Sequence, residues 1–119
     1  MDIRLYSVFG QGDEKFDAQF KPLDKWVEEM KINDLNFIKI DVEGYEYLVL
    51  EGASKTLLKY RPIVMFELNE MTLALSKRTI DEFFFFAKKY GYQIFGLEYR
   101  YKSKLLKIDS QDKVNLVSD

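Results

Sequence analysis

The chain contains no cysteine and no histidine. Without cysteine there is no disulfide, no thiolate metal site and no thiol nucleophile. Without histidine it lacks the side chain most used as a general base and as a metal ligand. Charge of one sign is missing as well: 18 basic and 20 acidic residues leave a net charge of −2 and are well mixed. No basic face therefore advertises nucleic acid. No apolar run approaches the roughly 20 residues of a membrane span. The opening MDIRLYSVFG has no signal-peptide pattern, so the expectation is a soluble, cytoplasmic protein. What is abundant is apolar surface. Of 119 residues, 47% are hydrophobic, with ten Phe and eight Tyr. That is enough for a single domain over 1–119 with a core of its own, flexible only in a polar tail at 110–119.

Apolar periodicity gives an order of elements. Residues 3–9 (IRLYSVF) and 16–20 (FDAQF) read as short strands around a GQGDEK loop. Pro22 and Asp24 introduce a helix, with Asp24 capping its first turn and Trp26, Val27 and Met30 sharing a face. NFIKIDV is a strand with bulky residues on both faces, as in a central parallel strand covered on each side. From Tyr45 the period turns helical through Leu48, Val49, Ala53, Leu57 and Tyr60, with a break at Gly52 and a stop before Arg61 and Pro62. IVMFEL is a second buried strand, and NEMTLALSKR is a loop with at most a helical turn. Thr79 and Glu82 form a capping box for a helix closed by Gly91, whose buried stripe is Ile80, Phe83, Phe84, Ala87 and Tyr90. Trp26 and the four-Phe run read as core. QIFGLEYRYK and KLLKI pair as an antiparallel hairpin through Lys102 and Ser103. The order predicts an α/β fold, with parallel central strands, helices on both faces and a C-terminal antiparallel edge.

The chemistry sits where strands end. In open parallel sheets ligands bind outside the carboxyl ends of the strands. Asp41 and Glu43 leave the first main strand there, and Glu67, Asn69 and Glu70 leave the second. Gly44 permits a tight turn behind them. Two readings of the carboxylates stay open: a functional rim, or caps for the following helix, whose dipole favours them. Lys39 shares a face with Asp41 and, in a buried strand, needs a partner. Glu67 on the neighbouring strand is the expected one, whether as a structural ion pair or with Lys39 as a base.

The segment LDKWVEEMKINDLNFIKIDVEGYEYLVLEGASKTLLKYRPIVMFELN resembles the signature block of FkbM-type methyltransferases. The matching pieces are Leu23 and Asp24, the run from Lys39 to Gly44 with Glu46, Leu50 to Ala53, Arg61 and Pro62, and Glu67. The resemblance implies a Rossmann-like class I methyltransferase sheet, with NFIKIDV and IVMFEL as its fourth and fifth strands. It implies S-adenosylmethionine as cofactor, bound in part by Asp41 and Val42. Catalytic candidates are then Asp41, Glu43 and Lys39, and substrate-binding candidates Glu67, Asn69 and Glu70. The acceptor would be a small molecule, sugar or lipid-linked group methylated on oxygen.

The family's glycine-rich donor loop, of the type Asp-x-Gly-x-x-x-Gly, is not in this sequence. The FGQGD segment with Gly10 and Gly12 lies too near the fourth strand to replace it. The expectation is therefore the C-terminal part of a methyltransferase domain, which by itself binds the cofactor poorly. The alternative is a truncated, non-catalytic scaffold that dimerises or completes its sheet with a partner chain. Methyl transfer to oxygen needs an aligned, deprotonated acceptor. With no histidine a carboxylate serves as base. A hard divalent ion held by Asp41, Glu43, Glu67 and Asn69 is the less favoured route, and no metal site is assigned.

Overall fold

In the computed structural model, which describes residues 3–6, 17–98 and 104–108, short elements follow one another closely. Strand β1 (Ile3–Tyr6) pairs antiparallel with β2 (Asp17–Phe20), Ile3 opposite Phe20. Helix α1 (Leu23–Glu29) leads to β3 (Phe37–Ile40), then α2 (Glu46–Glu51) and α3 (Ser54–Tyr60). Strand β4 (Ile63–Phe66) lies parallel to β3, and α4 (Glu70–Ser76) and α5 (Ile80–Tyr90) follow. Strands β5 (Ile94–Glu98) and β6 (Lys104–Ile108) form the expected antiparallel hairpin. The α/β order holds. The hairpin, however, makes a two-stranded sheet of its own and is not hydrogen-bonded to the β3–β4 pair. The turn at Lys102 and Ser103, the GQGDEK loop and the 110–119 tail lie outside the described residues.

The core forms on one face of β3–β4. Ile40 is buried with Leu50, Ala53, Leu57, Leu73, Ile80, Phe83 and Phe86, and Ile38, Val64 and Phe66 pack against that cluster. Helices α2 to α5 supply its other wall. Tyr47 meets Phe83 and Phe86 edge-on at 5.5 and 5.7 Å, and Phe66 stacks on Phe83 at 5.4 Å. Among the described residues the opposite face is not covered: Phe37 is 53% and Ile63 69% exposed, and Lys39, two residues on from Phe37, is exposed as well. This corrects the reading of β3 as covered on both sides. The apolar residue types are present on each face, but among the described residues helices pack on only one.

Local signals account for most helix ends. The capping box of α5 is formed, with the Thr79 N–H donating to Glu82 Oε1 at 3.1 Å, and Gly91 closes the helix at φ 71°. The Arg78 guanidinium, 2.8 Å from Glu82, holds that carboxyl below its usual range. Helices α2 and α3 part at Gly52, as its position predicted.

Asp24 departs from expectation. It does not cap its own helix. Its carboxylate accepts the N–H groups of Lys55 (3.1 Å) and Thr56 (2.8 Å) and the Thr56 hydroxyl (2.7 Å), capping α3 from across the chain. The residue at the N-cap of α3 is Ala53, which has no side-chain acceptor, so α1 provides one. The Asp24 N–H in turn donates to the Gly52 carbonyl at 2.9 Å.

Other differences have simple causes. Residues 70–76, read as mostly loop, are helix α4, because Asn69 caps them by accepting the Met71 N–H at 2.9 Å. Trp26 is 42% and Phe85 71% exposed and neither belongs to the core. A run of four Phe covers every direction around a helix, and α5 buries Phe83 and Phe86 while Phe84 and Tyr90 are half-buried. Leu50, rather than Leu48 at 48% exposure, is the buried leucine of α2.

Candidate active site

Strands β3 and β4 run in register, with Ile38 opposite Val64 and Ile40 opposite Phe66. Asp41 and Glu67 are the next residues of each, so both leave the pair at its carboxyl end. Both are exposed. Asp41 and Glu67 thus share one end of the pair, whereas Lys39 and Glu67 make no ion pair among the described residues. Lys39 lies opposite Met65 on the open face, where water solvates its ammonium and no partner is needed. That removes the reason for expecting the pair.

The chain then turns sharply. Glu43 has φ 51° and Gly44 φ 104°, two successive positive values. At Gly44 only glycine fits: a Cβ there would lie 2.0 Å from the Thr72 carbonyl oxygen. The turn at 41–44 thus rests directly on α4. The Ser76 hydroxyl donates to the Gly44 carbonyl at 2.5 Å. From the other side Glu46 holds the turn's amides, its two oxygens accepting the N–H groups of Val42 (3.3 Å) and Gly44 (3.0 Å).

Glu46 is 2% exposed, the buried carboxylate of the region. Its hydrogen bonds satisfy a group that would otherwise be costly to bury. Neither Asp41 nor Glu43 caps α2, whose N-cap is Tyr45 with no side-chain bond. The capping alternative is therefore overturned. Both carboxylates are exposed, and the amides of the turn itself, at Val42 and Gly44, are held by Glu46. Sequence reasoning passed over Glu46 even though its spacing from Gly44 is part of the same motif. The signal available was that a carboxylate two residues past a turn glycine can fold back onto the turn's N–H groups.

The remaining candidates divide. Val42, 38% exposed, lies past the end of β3 rather than on its buried face. Asn69 is occupied in capping α4, and its carbonyl accepts the Thr72 hydroxyl at 3.1 Å. Glu70 is the first residue of that helix and is exposed. These two begin a helix, not the loop expected of them. Beside the rim, an open groove of about 450 Å³ is lined by Leu23, Ile38, Lys39, Ile40, Asp41, Val42 and Val49. Ile38 to Ile40 of β3 and the two residues that follow line it with Leu23 of α1 and Val49 of α2, and no residue of β4 does, so it lies on the side of β3 away from β4. Among the described residues no group of three or more His, Cys, Asp or Glu side chains is placed to hold a metal ion. No described helix is long and apolar enough to cross a membrane.

Comparison with known proteins gives one family. Residues 4–94 match the model of the methyltransferase FkbM domain, across both strands, the 41–44 turn and α4. Neither curated proteins nor solved structures give a match to the chain.

Proposed function

The chain belongs to the FkbM methyltransferase family, and on that premise we propose that it takes part in moving the methyl group of S-adenosylmethionine to an oxygen of a small-molecule, sugar or lipid-linked acceptor. The observation that carries this reading is the carboxyl-end rim, where Asp41 and Glu67 leave a parallel pair in register and the 41–44 turn closes behind them. In this reading β3 and β4 are the fourth and fifth strands of a partial Rossmann-like class I sheet. The groove along the free edge of β3 reaches Asp41 and Val42, so the residues present fit one side of the cofactor. When bound, the cofactor supplies an electrophilic methyl on a sulfonium. Asp41 orients the donor and Glu43 takes the proton of the acceptor hydroxyl. Lys39, on the same face as Asp41, offsets negative charge at the rim. Glu67 and Glu70 contact the acceptor, and Asn69 sets the start of α4 beside it.

The donor loop is another matter. The sequence holds no Asp-x-Gly-x-x-x-Gly turn, so the rest of the donor pocket comes from more of the same polypeptide, a second copy or a partner chain. The 119-residue chain alone is then expected to bind the cofactor with a Kd of about 1 mM or weaker, roughly −4 kcal/mol, and to transfer no methyl group. Amide resonances followed during a titration with S-adenosylmethionine test both statements. Shifts gathered at Asp41, Val42 and Glu43, and lost in Asp41→Ala, are the expected result. Shifts gathered elsewhere, or none, would remove the assignment, and micromolar affinity would mean that the chain already carries a complete pocket.

The alternative, a non-catalytic scaffold that pairs with a second copy or another chain, is favoured by a different observation. Phe37 and Ile63 are exposed on the open face, and the edge of β3 away from β4 has no partner strand among the described residues.

A further inference from the structure

The 41–44 turn and α4 are tied by groups whose chemistry the proposed reaction does not use. On α4, Thr72 and Ser76 are four residues apart and so share one ridge. That ridge lies on Gly44: the Thr72 carbonyl oxygen occupies the space a side chain would need, and the Ser76 hydroxyl donates to the Gly44 carbonyl at 2.5 Å. The same hydroxyl lies 3.1 Å from the Leu73 carbonyl, so without Gly44 it would fall back on its own helix. Gly44 is buried, while Asp41 and Glu43, one to three residues before it, are exposed. Among the described residues neither exposed carboxylate has a side-chain hydrogen bond or ion pair, and their placement follows from the backbone of the turn.

We propose that Ser76 is a positioning residue of the candidate site, which through Gly44 ties the placement of Asp41 and Glu43 to α4. Helix α4 is capped by Asn69, two residues past Glu67 at the end of β4. A displacement of its first turn by a bound acceptor is then carried to the carboxylates on the neighbouring strand. The two sides of the rim act as one body, although no side chain of Asp41 or Glu43 touches the helix in a hydrogen bond. This rests on reading the 41–44 turn as the methyl-transfer rim.

The test needs no cofactor. Amide resonances and hydrogen exchange of the 119-residue chain are compared for the parent, Ser76→Ala and Ser76→Thr. Ser76→Ala removes one hydrogen bond of ordinary strength, so exchange at Val42 and Gly44 should rise on the order of fivefold. The Asp41 and Glu43 amide resonances should move, while β3, β4 and α5 keep their protection. Ser76→Thr retains the hydroxyl and should restore both. Unchanged turn amides in Ser76→Ala would overturn the proposal. So would loosening spread evenly over the fold, which is what a merely structural serine gives, or a threonine variant that behaves like alanine. The cofactor titration described above reads the functional assignment separately, so the two can fail independently.

Discussion

On one face of the β3–β4 pair, Ile38, Ile40, Val64 and Phe66 pack under four helices; on the other, Phe37 and Ile63 are 53% and 69% exposed. Both faces carry bulky apolar side chains, although Lys39 sits on the open one, and what covers the two faces differs. The covered face owes its cover to segments that follow β3 and β4 directly in the chain, so each strand arrives with its own helix. The helices α2 and α3 come after β3, and α4 and α5 after β4. The open face carries Phe37 and Ile63 beside Lys39, yet the elements from α2 to α5 pack on the other side. It is the face to which the proposed pairing with further chain or a second copy is directed.

The largest effect should come from the covered face. Phe83 is 1% exposed and touches both Tyr47 and Phe66. Phe83→Ala should cost about 3–5 kcal/mol of stability in urea denaturation. Phe85, two residues along the same helix and 71% exposed, is the internal control, and Phe85→Ala should stay within about 0.5 kcal/mol. Similar losses for both would mean that the outer side of α5 is covered in solution.

An intermediate effect tests the seam that joins α1 to the covered side. Asp24→Ala removes the acceptor that caps α3 and the bond to the Thr56 hydroxyl. The expected loss is about 1–2 kcal/mol, the range for an N-cap, read from the same denaturation curves. Asp24→Asn keeps one acceptor oxygen and should recover part of it. If instead Asp24 mattered only to α1, both variants would leave the Lys55 and Thr56 amides fully protected from exchange.

These cases mark how far the sequence could be read. Signals that act within a few residues were legible: the Thr79 and Glu82 box, the Gly91 stop, the break at Gly52, and two apolar strands with helical segments between. The rim could also be anticipated, because parallel neighbours put Asp41 and Glu67 at one end. What escaped depends on distant partners or on cover. Asp24 reaches a helix start more than 30 residues away, and no local spacing encodes that. Lys39 would need an ion pair only in a strand covered on both faces, and the open face removes the need. Glu46 was hidden by its more conspicuous neighbours Asp41 and Glu43. Three acids in six residues look alike until the backbone shows which one has N–H groups in front of it.

The smallest effect on stability, and the one that bears most on function, is expected on the open face. Phe37→Lys and Ile63→Lys together replace two apolar side chains that water already reaches, on adjacent strands and directly opposite each other in register. Each substitution alone should change the unfolding free energy by less than about 0.5 kcal/mol, since little burial is lost. Placed together they set like charges side by side across the pair, which adds a small repulsion screened by salt. Association should respond far more. If the parent chain dimerises through this face, two lysines there would have to be desolvated against their counterparts in the second copy, and light scattering at micromolar concentration should report a monomer. A parent that is itself monomeric would direct the face instead to further chain or to a different partner. A lysine pair that dimerises as well as the parent would place the contact elsewhere, with the unpaired edge of β3 the next surface to alter.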